Sequence, residues 1–427
     1  MTKIAVLWRK LFSYKLIPMF LSRSPFFFPS FFLKLSAFLA FCFALSACQK
    51  PKHTTLGTES TQVKIPVFEN GQYQWKVVAL SSLDGEGNPK NQKYIFQVEP
   101  KVVNGRLQGK IHRWNFLKKS DGVFIPQDFL TMQMASISYH LEQLELMDEA
   151  YGSSSASRWP LDVALQVRSV RGGKMEKNNA SYEMNLHALL FQLPEGSELP
   201  LYANGGVIAH EYFHVLFSEK VLTPLRASTL MKNEFQLEEH NHLKMSDPSS
   251  DHFQGNKSEW QNYHFTLLRG LNEGLADLWG YLYSGDEEFV GRSLPLYSQR
   301  RKIESSRLNI PPVSVLMAQV QSTTYEGRIG ISYALGNMTA SFGRLMLEEL
   351  QQQKGLSIQE SKQVLGRAII EKLPTLMGNF QSLQKDKYLS ISDIYSMIYS
   401  GLDFSNNFEA YISGKGNSSG KNNSEKK

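Results

Sequence analysis

The stretch GGVIAHEYFHVLF, residues 205–217, restricts the fold more than any other part of the chain. Apart from two histidines and one glutamate, it consists of glycine, aliphatic and aromatic residues. An apolar run of this length is typical of a buried helix. Four residues advance an α-helix by about 400°, so His210 and His214 leave the same face one turn apart. The pattern predicts a buried helix that presents two imidazoles to one point.

A metal ion is one explanation for this pair, and chance is the other. A hydrolytic zinc site needs three protein ligands and an open fourth position for water. With ten histidines and 40 acidic residues, the pattern H-E-x-x-H arises by accident on the order of once in a hundred such chains. The pair alone therefore leaves a zinc site and a metal-free chain both open.

A third ligand is available in GLNEGLADLWG, residues 270–280. Glu273 and Asp277 are four residues apart on a pattern that also predicts a helix. An unpaired carboxylate on a helix in the core would be destabilising. One carboxylate on a metal and another orienting a histidine N–H would remove that cost.

Taken together, HEYFH and NEGLAD resemble the motifs of the thermolysin-like gluzincin metallopeptidases, H-E-x-x-H and then N-E-x-x-x-D. The resemblance implies a zinc-dependent endopeptidase with Glu211 as the general base. Asp277 and Asn272 would then hold the rings of the two histidines. The zinc ligands that the resemblance implies are His210, His214 and Glu273.

Substrate-binding residues are also implied by the resemblance. Asn179 and Ala180 match an N-A dipeptide on an edge strand that binds the backbone of a protein or peptide substrate. Arg307 matches an arginine that supports the substrate and the active-site groups, although a surface arginine is the ordinary alternative.

The chain departs from the family where a histidine should donate to the transition-state oxyanion. That position falls on Gly330, and no histidine follows His264. Such a donor can contribute about 3 kcal/mol, so Tyr325 and Arg328, expected in the same loop, are candidate replacements, with His264 a more remote one. A zinc-binding scaffold with weak catalysis is the alternative function.

Two further departures concern calcium and an insertion. The acid that ligates calcium in the family corresponds to Gly206, which argues against a calcium cluster. The long connection between the zinc motifs contains His240, His242 and His252. Its polar composition favours a solvated loop over a second metal site.

The N-terminus predicts export. Its first 47 residues contain no acid, and the six basic residues there account for the whole net charge of +6. An apolar run over residues 35–45, followed by LSAC, has the layout of a bacterial lipoprotein signal with Cys48 as the lipidated residue. The run is short for a membrane span, although an uncleaved anchor is the alternative. Both predict a protein of the bacterial cell envelope, outside the cytoplasm, and Gln49 fits the outer membrane of a Gram-negative cell.

The rest of the chain, residues 48–427, has no net charge and no basic block, which argues against a nucleic-acid partner.

Asn-Gly pairs at 70–71 and 104–105 predict two hairpins. Asp128 is the expected N-cap of a helix that stops before Gly152, and Pro374 is expected to end a later helix. The predicted fold is α+β, with a strand-rich lobe that ends in the zinc helix and a mainly helical second lobe. The expected boundaries are a signal peptide 1–47, a tether 48–60, a strand-rich catalytic lobe 61–218, an inserted polar loop 219–265, a helical catalytic lobe 266–412 and a disordered tail 413–427. The sequence does not predict an oligomeric state.

Overall fold

The computed structural model describes ten stretches of the chain, all within one structural unit, Glu59–Lys427. These stretches are residues 60–69, 71–90, 93–153, 158–171, 174–195, 199–227, 258–294, 301–304, 310–384 and 387–402. Several predicted features lie outside them, namely the signal peptide, Cys48, the tether up to residue 59, His240, His242, His252, Arg307 and the C-terminal tail. In the described stretches, no helix combines the length and the apolar character needed to cross a membrane.

The first half of the described chain is rich in strands, as predicted. A four-stranded sheet has the order β2-β1-β6-β5, and a five-stranded sheet has the order β10-β11-β7-β3-β4. A small ribbon pairs β8 with β9. The strands are β1 Thr61–Glu69, β2 Gln72–Leu80, β3 Tyr94–Val103, β4 Arg106–Lys110, β5 Phe116–Lys118, β6 Phe124–Pro126, β7 Leu161–Val167, β8 Ser169–Arg171, β9 Lys174–Glu176, β10 Ala180–Glu183 and β11 Ala188–Gln192.

Both predicted hairpins are present. Strands β1 and β2 pair antiparallel around the first Asn-Gly pair. Strands β3 and β4 pair around the second, where Asn104 and Gly105 have φ of 52° and 72°. Two successive positive φ angles are what a type I′ hairpin turn requires. The local Asn-Gly signal therefore sets the register of both strand pairs.

Helices dominate the second half, again as predicted. The first helix begins after Asp128, whose side chain accepts a hydrogen bond from the backbone N–H of Thr131. The helices are α1 Phe129–Ala150, α2 Gly205–Phe217, α3 Thr223–Ala227, α4 Glu259–Ser284, α5 Phe289–Ser293, α6 Val313–Gln321, α7 Tyr325–Lys354, α8 Ile358–Gln381 and α9 Ile391–Tyr399.

Two expectations about helix ends need correction. Helix α8 continues through Pro374 to Gln381. Its buried face, which includes Leu373, Leu376 and Phe380, continues across the proline, so tertiary packing outweighs the lost backbone bond. The predicted loop 219–265 is helical at both described ends, because α2 runs on through a π-helical turn into α3, and α4 already begins at Glu259.

Small residues bring the two helices of the zinc motifs together. A Cβ at Gly280 on α4 would lie 2.7 Å from the carbonyl oxygen of Gly206 on α2. A Cβ at Gly206 would lie 2.6 Å from the Phe289 ring, so the carboxylate found here in the family has no room. On its other side, α4 packs against α7, where a Cβ at Gly274 would lie 2.4 Å from the carbonyl oxygen of Gly336. Helix α4 is therefore held in contact with both α2 and α7.

A buried histidine in this core predicts acid sensitivity. His140 on α1 is buried, and its Nδ1 lies 2.8 Å from the hydroxyl of Tyr283. Burial lowers the pKa of His140 to about 3, against about 6.5 in an unfolded chain. Between these values the unfolded chain binds a proton that the folded chain does not, so stability falls as the pH falls.

From this difference we expect His140 to lower the free energy of unfolding by about 2 kcal/mol between pH 7 and pH 5. Urea unfolding of the protein and of His140→Gln at both pH values measures this contribution. The variant should lose less stability on acidification than the unsubstituted protein. Equal losses in the two proteins would contradict the prediction.

Candidate metal centre

Helix α2 carries the histidine pair and is fixed at its N-terminus. The side-chain oxygen of Asn204 accepts a hydrogen bond from Val207 N–H at 3.2 Å and caps the helix. The amide of Asn204 donates to the carbonyl of Phe289 and to the hydroxyl of Ser293, each at 2.7 Å. All residues of α2 except His214 are buried. The cap and the packing therefore set the direction in which the histidines point.

The imidazoles of His210 and His214 converge. Their Nε2 atoms are 3.1 Å apart, and the ring planes are almost perpendicular. On the far side of each ring, Nδ1 of His210 lies 3.0 Å from Oδ1 of Asp277, and Nδ1 of His214 lies 3.0 Å from Oδ1 of Asn272. These are the two ring contacts that the resemblance implied, His210 with Asp277 and His214 with Asn272.

The acceptors decide where the ring protons lie. A carboxylate and an amide oxygen can only accept hydrogen bonds, so each neutral ring carries its proton on Nδ1. The two Nε2 atoms then turn lone pairs toward each other at 3.1 Å. Two lone pairs this close repel each other, and either a metal ion between them or a proton on one Nε2 of an imidazolium removes the repulsion. The tautomers set by Asp277 and Asn272 are the tautomers that metal ligation requires.

Two carboxylates lie beside the pair. Nε2 of His210 is 3.7 Å from Oε2 of Glu273 and 4.0 Å from Oε1 of Glu211. Zinc bonds of about 2.0–2.1 Å in a tetrahedron place ligand atoms roughly 3.3 Å apart. Ligand atoms of His210, Glu211 and His214 all lie within 4.8 Å of one another. The residues therefore fit a zinc ion with two histidines and one carboxylate, and these distances admit either glutamate as the third ligand.

Arg301 is a contact that the sequence reasoning missed. Its Nη2 donates to Oδ1 of Asp277 at 2.6 Å and to Oε2 of Glu273 at 3.2 Å, and it lies 3.5 Å from Nε2 of His210. The arginine expected at this site was Arg307, which lies outside the described residues. In the sequence, Arg301 belongs to a short polar stretch, SQRRK, that carries no motif.

The charges of the site favour a divalent cation. Burial disfavours ionisation of Asp277 and Glu273, but the Arg301 guanidinium and the histidines outweigh it and hold the pKa of both carboxyls below the usual range. With Glu211, three carboxylates therefore face the Arg301 guanidinium and the longer-range charge of Arg269. The acidic side chains outnumber the arginines by one, and a bound cation would offset this excess of buried negative charge.

The pKa values of the histidines move in opposite directions. Burial and the neighbouring His210 lower the pKa of His214. Burial also acts to lower the pKa of His210, but the contact with Asp277 outweighs it and the pKa is raised. The difference follows from the second partner of each ring, a carboxylate for His210 and a neutral amide for His214.

Tyr333 on α7 is a second residue that the sequence reasoning missed. Its ring lies 5.3 Å from the guanidinium carbon of Arg301 and 5.8 Å from that of Arg269. The negative charge of Glu273, followed by burial, raises the pKa of its hydroxyl. Tyr333 follows Gly330 by three residues, so both lie on nearly the same face of α7. A Cβ at Gly330 would contact nothing within 4 Å.

The loop position predicted for two candidate oxyanion donors needs correction. Tyr325 and Arg328 lie in the first turn of α7 and not in a loop, because Thr324 caps the helix with its hydroxyl. Arg328 donates to the carbonyl of Thr323. His264 is fully buried, with Nδ1 2.9 Å from the Trp260 carbonyl and Nε2 accepting from Leu389 N–H. Both of its ring nitrogens are thus engaged in the core.

The expected substrate strand lies at a sheet edge. Ala180 begins β10, which is an edge strand of the five-stranded sheet. The carbonyl of Asn179 accepts a hydrogen bond from Gln192 N–H at 2.9 Å, on the β11 side. Strand β10 also packs against α2. The dipeptide therefore lies at the start of a strand that packs against α2 and has one neighbour in the described sheet.

Replacing Asp277 with asparagine should weaken metal binding. Asparagine is close in size to aspartate but removes the charge beside Nδ1 of His210, and loss of such a partner weakens metal affinity about 10–100-fold. Competition with a chromophoric chelator measures the zinc affinity. Asp286→Asn, away from the zinc motifs, is the control. An unchanged affinity in Asp277→Asn would contradict the assigned contact.

Two comparisons with known proteins found no match. No protein-family model matches the chain, and no curated protein sequence matches it significantly. The geometry of the site is therefore the basis for a functional assignment.

Proposed function

We propose that the protein is a zinc-dependent endopeptidase. The observation that carries the proposal is the pair of Nε2 atoms, 3.1 Å apart, in rings whose Nδ1 atoms lie 3.0 Å from Asp277 and Asn272, with Glu211 and Glu273 beside the pair. In this proposal His210, His214 and Glu273 hold the metal. A bound zinc ion would lower the pKa of a water molecule and polarise the peptide carbonyl.

Glu211 is the general base in this proposal. It follows His210 directly on α2 and lies beside the histidine pair, with one oxygen 4.0 Å from Nε2 of His210. It takes a proton from the attacking water and delivers it to the leaving nitrogen. The peptide bond breaks between the carbonyl carbon and that nitrogen, so the products are a carboxylic acid and an amine.

The edge of β10 supports the assignment of a protein or peptide substrate. An extended chain that adds to an exposed strand gains main-chain hydrogen bonds with little dependence on side-chain identity. Asn179 and Ala180 lie where such a chain would pass next to α2. Arg301, which donates to Glu273 and Asp277, orients these carboxylates in this proposal, and the role expected of Arg307 stays a prediction.

The cellular setting belongs to the same proposal. Lipidation at Cys48 would hold the enzyme in the bacterial cell envelope, with its fold outside the cytoplasm. The body of the chain has no cysteine after Cys48, so its stability there does not depend on disulfides.

Chelation with zinc restoration tests the function. The purified full chain is incubated with a library of unstructured peptides, with and without a strong chelator, and products are read by mass spectrometry. We expect internal cleavages that the chelator stops and that added zinc restores. Stoichiometric zinc without any cleavage would favour the scaffold alternative, and absence of bound zinc would exclude both.

A further inference from the structure

The β1–β2 hairpin carries an apolar outer face. Tyr73, Trp75 and Val77 alternate along β2 and are 45%, 53% and 46% exposed. Across the ladder they pair with Phe68, Pro66 and Lys64 of β1, so the six residues lie on one side of the hairpin. Pro66 is buried, and Phe68 is half-buried against the main core, so Trp75 and Val77 with Lys64 form the open part of this side. We call the six residues the hairpin face.

The other side of the same hairpin already has a partner within the fold. Val63, Ile65, Val67, Val78 and Leu80 pack with Ala135 of α1 in a small core. Because side chains alternate along a strand, the hairpin face points away from that core. A large exposed tryptophan between a tyrosine and a valine marks an interaction surface more than an isolated exposed residue would.

Charge distinguishes this part of the protein from the rest. Residues 61–125 contain ten lysines and arginines against five acids, whereas residues 126–427 contain 28 against 34. The 65-residue segment that bears the hairpin face is thus basic, and residues 126–427 are acidic. A charge asymmetry of this kind would turn the basic segment toward an anionic surface and the acidic remainder away from it.

The short length of chain between Cys48 and the hairpin also favours an anionic membrane as the partner. Only twelve residues separate Cys48 from Thr61, and twelve residues reach at most about 40 Å. Trp75 pairs with Pro66, five residues into β1, which is roughly 17 Å farther along the strand. If Cys48 is lipidated, as proposed above, the length of chain in between therefore limits the distance of Trp75 from the membrane to at most about 57 Å.

From these observations we infer that the hairpin face binds the surface of an anionic lipid bilayer. Tyrosine and tryptophan suit the boundary between headgroups and acyl chains, because each has an apolar body and a polar tip. Lys64, on the same face, adds a cation that can reach lipid headgroups. Binding through this face would fix the orientation of the whole fold on the membrane. The inference draws on the proposed lipidation of Cys48 but not on the proposed peptidase activity.

Site-directed spin labelling tests it on the full chain. Labels are placed by Val77→Cys on the hairpin face and by Val364→Cys on α8, a valine of similar exposure, 39%, in the acidic half. Unsubstituted protein labelled in parallel corrects for Cys42 and Cys48, the two cysteines of the chain. Each protein is reconstituted into vesicles of phosphatidylethanolamine and phosphatidylglycerol, and collisions with oxygen and with a water-soluble nickel complex are measured.

We expect the label at 77 to show a severalfold fall in nickel collisions and a rise in oxygen collisions relative to the label at 364. Adding Trp75→Glu to the Val77→Cys variant should reverse this shift. Equal collision rates at 77 and 364 would overturn the inference. Spin–spin broadening at 77 would also overturn it and would identify a second copy of the chain as the partner.

Discussion

Replacing Glu211 with glutamine is expected to leave zinc bound and to reduce kcat/KM for peptide cleavage by about a hundredfold to ten-thousandfold. Glutamine keeps the size of the side chain, so the packing of α2 should persist, but its amide cannot take a proton from water. Zinc content is measured by atomic absorption, and cleavage is measured with an internally quenched peptide from the library hits.

Glu273→Gln is the matched control, because both glutamates lie beside His210 but are assigned different roles. The distances to Nε2 of His210, 4.0 Å for Glu211 and 3.7 Å for Glu273, do not separate these roles. Glu273→Gln should lose zinc affinity together with activity, whereas Glu211→Gln should lose activity alone. If Glu211→Gln lost the metal and Glu273→Gln kept it, the ligand and the base would have to be exchanged.

The contacts of the histidine rings were predicted from the family resemblance, and helical periodicity is consistent with them. His210 and His214 are four residues apart on one helix, and Glu273 and Asp277 are four apart on the next, so each pair shares a face. A shared site then requires only that the histidine face of α2 and the carboxylate face of α4 lie against each other. Their meeting depends on close packing at Gly206 and Gly280, whose importance becomes visible only in three dimensions.

The fold could be predicted where local signals agree with packing. Asn-Gly turns and the Asp128 cap define their elements without distant partners, and these elements are present. At Pro374 the local signal and the packing disagree. A proline favours the end of a helix, but α8 has a buried face on both sides of it and continues to Gln381. Tertiary burial then outweighs the local preference.

The remaining groups of the site could not be predicted because they reach it from distant parts of the chain. Arg301 is 24 residues from Asp277 and 28 from Glu273, and no periodic pattern connects them. Residue-by-residue alignment placed the oxyanion donor at position 330, where the side-chain position is open. One turn later, the same face of α7 carries Tyr333 next to Arg301. We therefore propose Tyr333 as the donor on this helix face.

Tyr333→Phe is therefore expected to lower kcat about a hundredfold to a thousandfold with little change in KM, the size of effect seen when one oxyanion donor is lost. The substitution removes only the hydroxyl, which contacts Arg269, and keeps the ring that packs against Arg301. Zinc content and the melting temperature should stay close to those of the unsubstituted protein. Tyr325→Phe, on the first turn of the same helix, tests the donor expected from the sequence in the same assay and should retain kcat if Tyr333 is the donor. Unchanged kcat in Tyr333→Phe would reject the tyrosine as donor and leave Arg301, which already contacts Glu273 and Asp277, as the group to test next. A loss of zinc would instead show that the hydroxyl supports the ligands through Arg269.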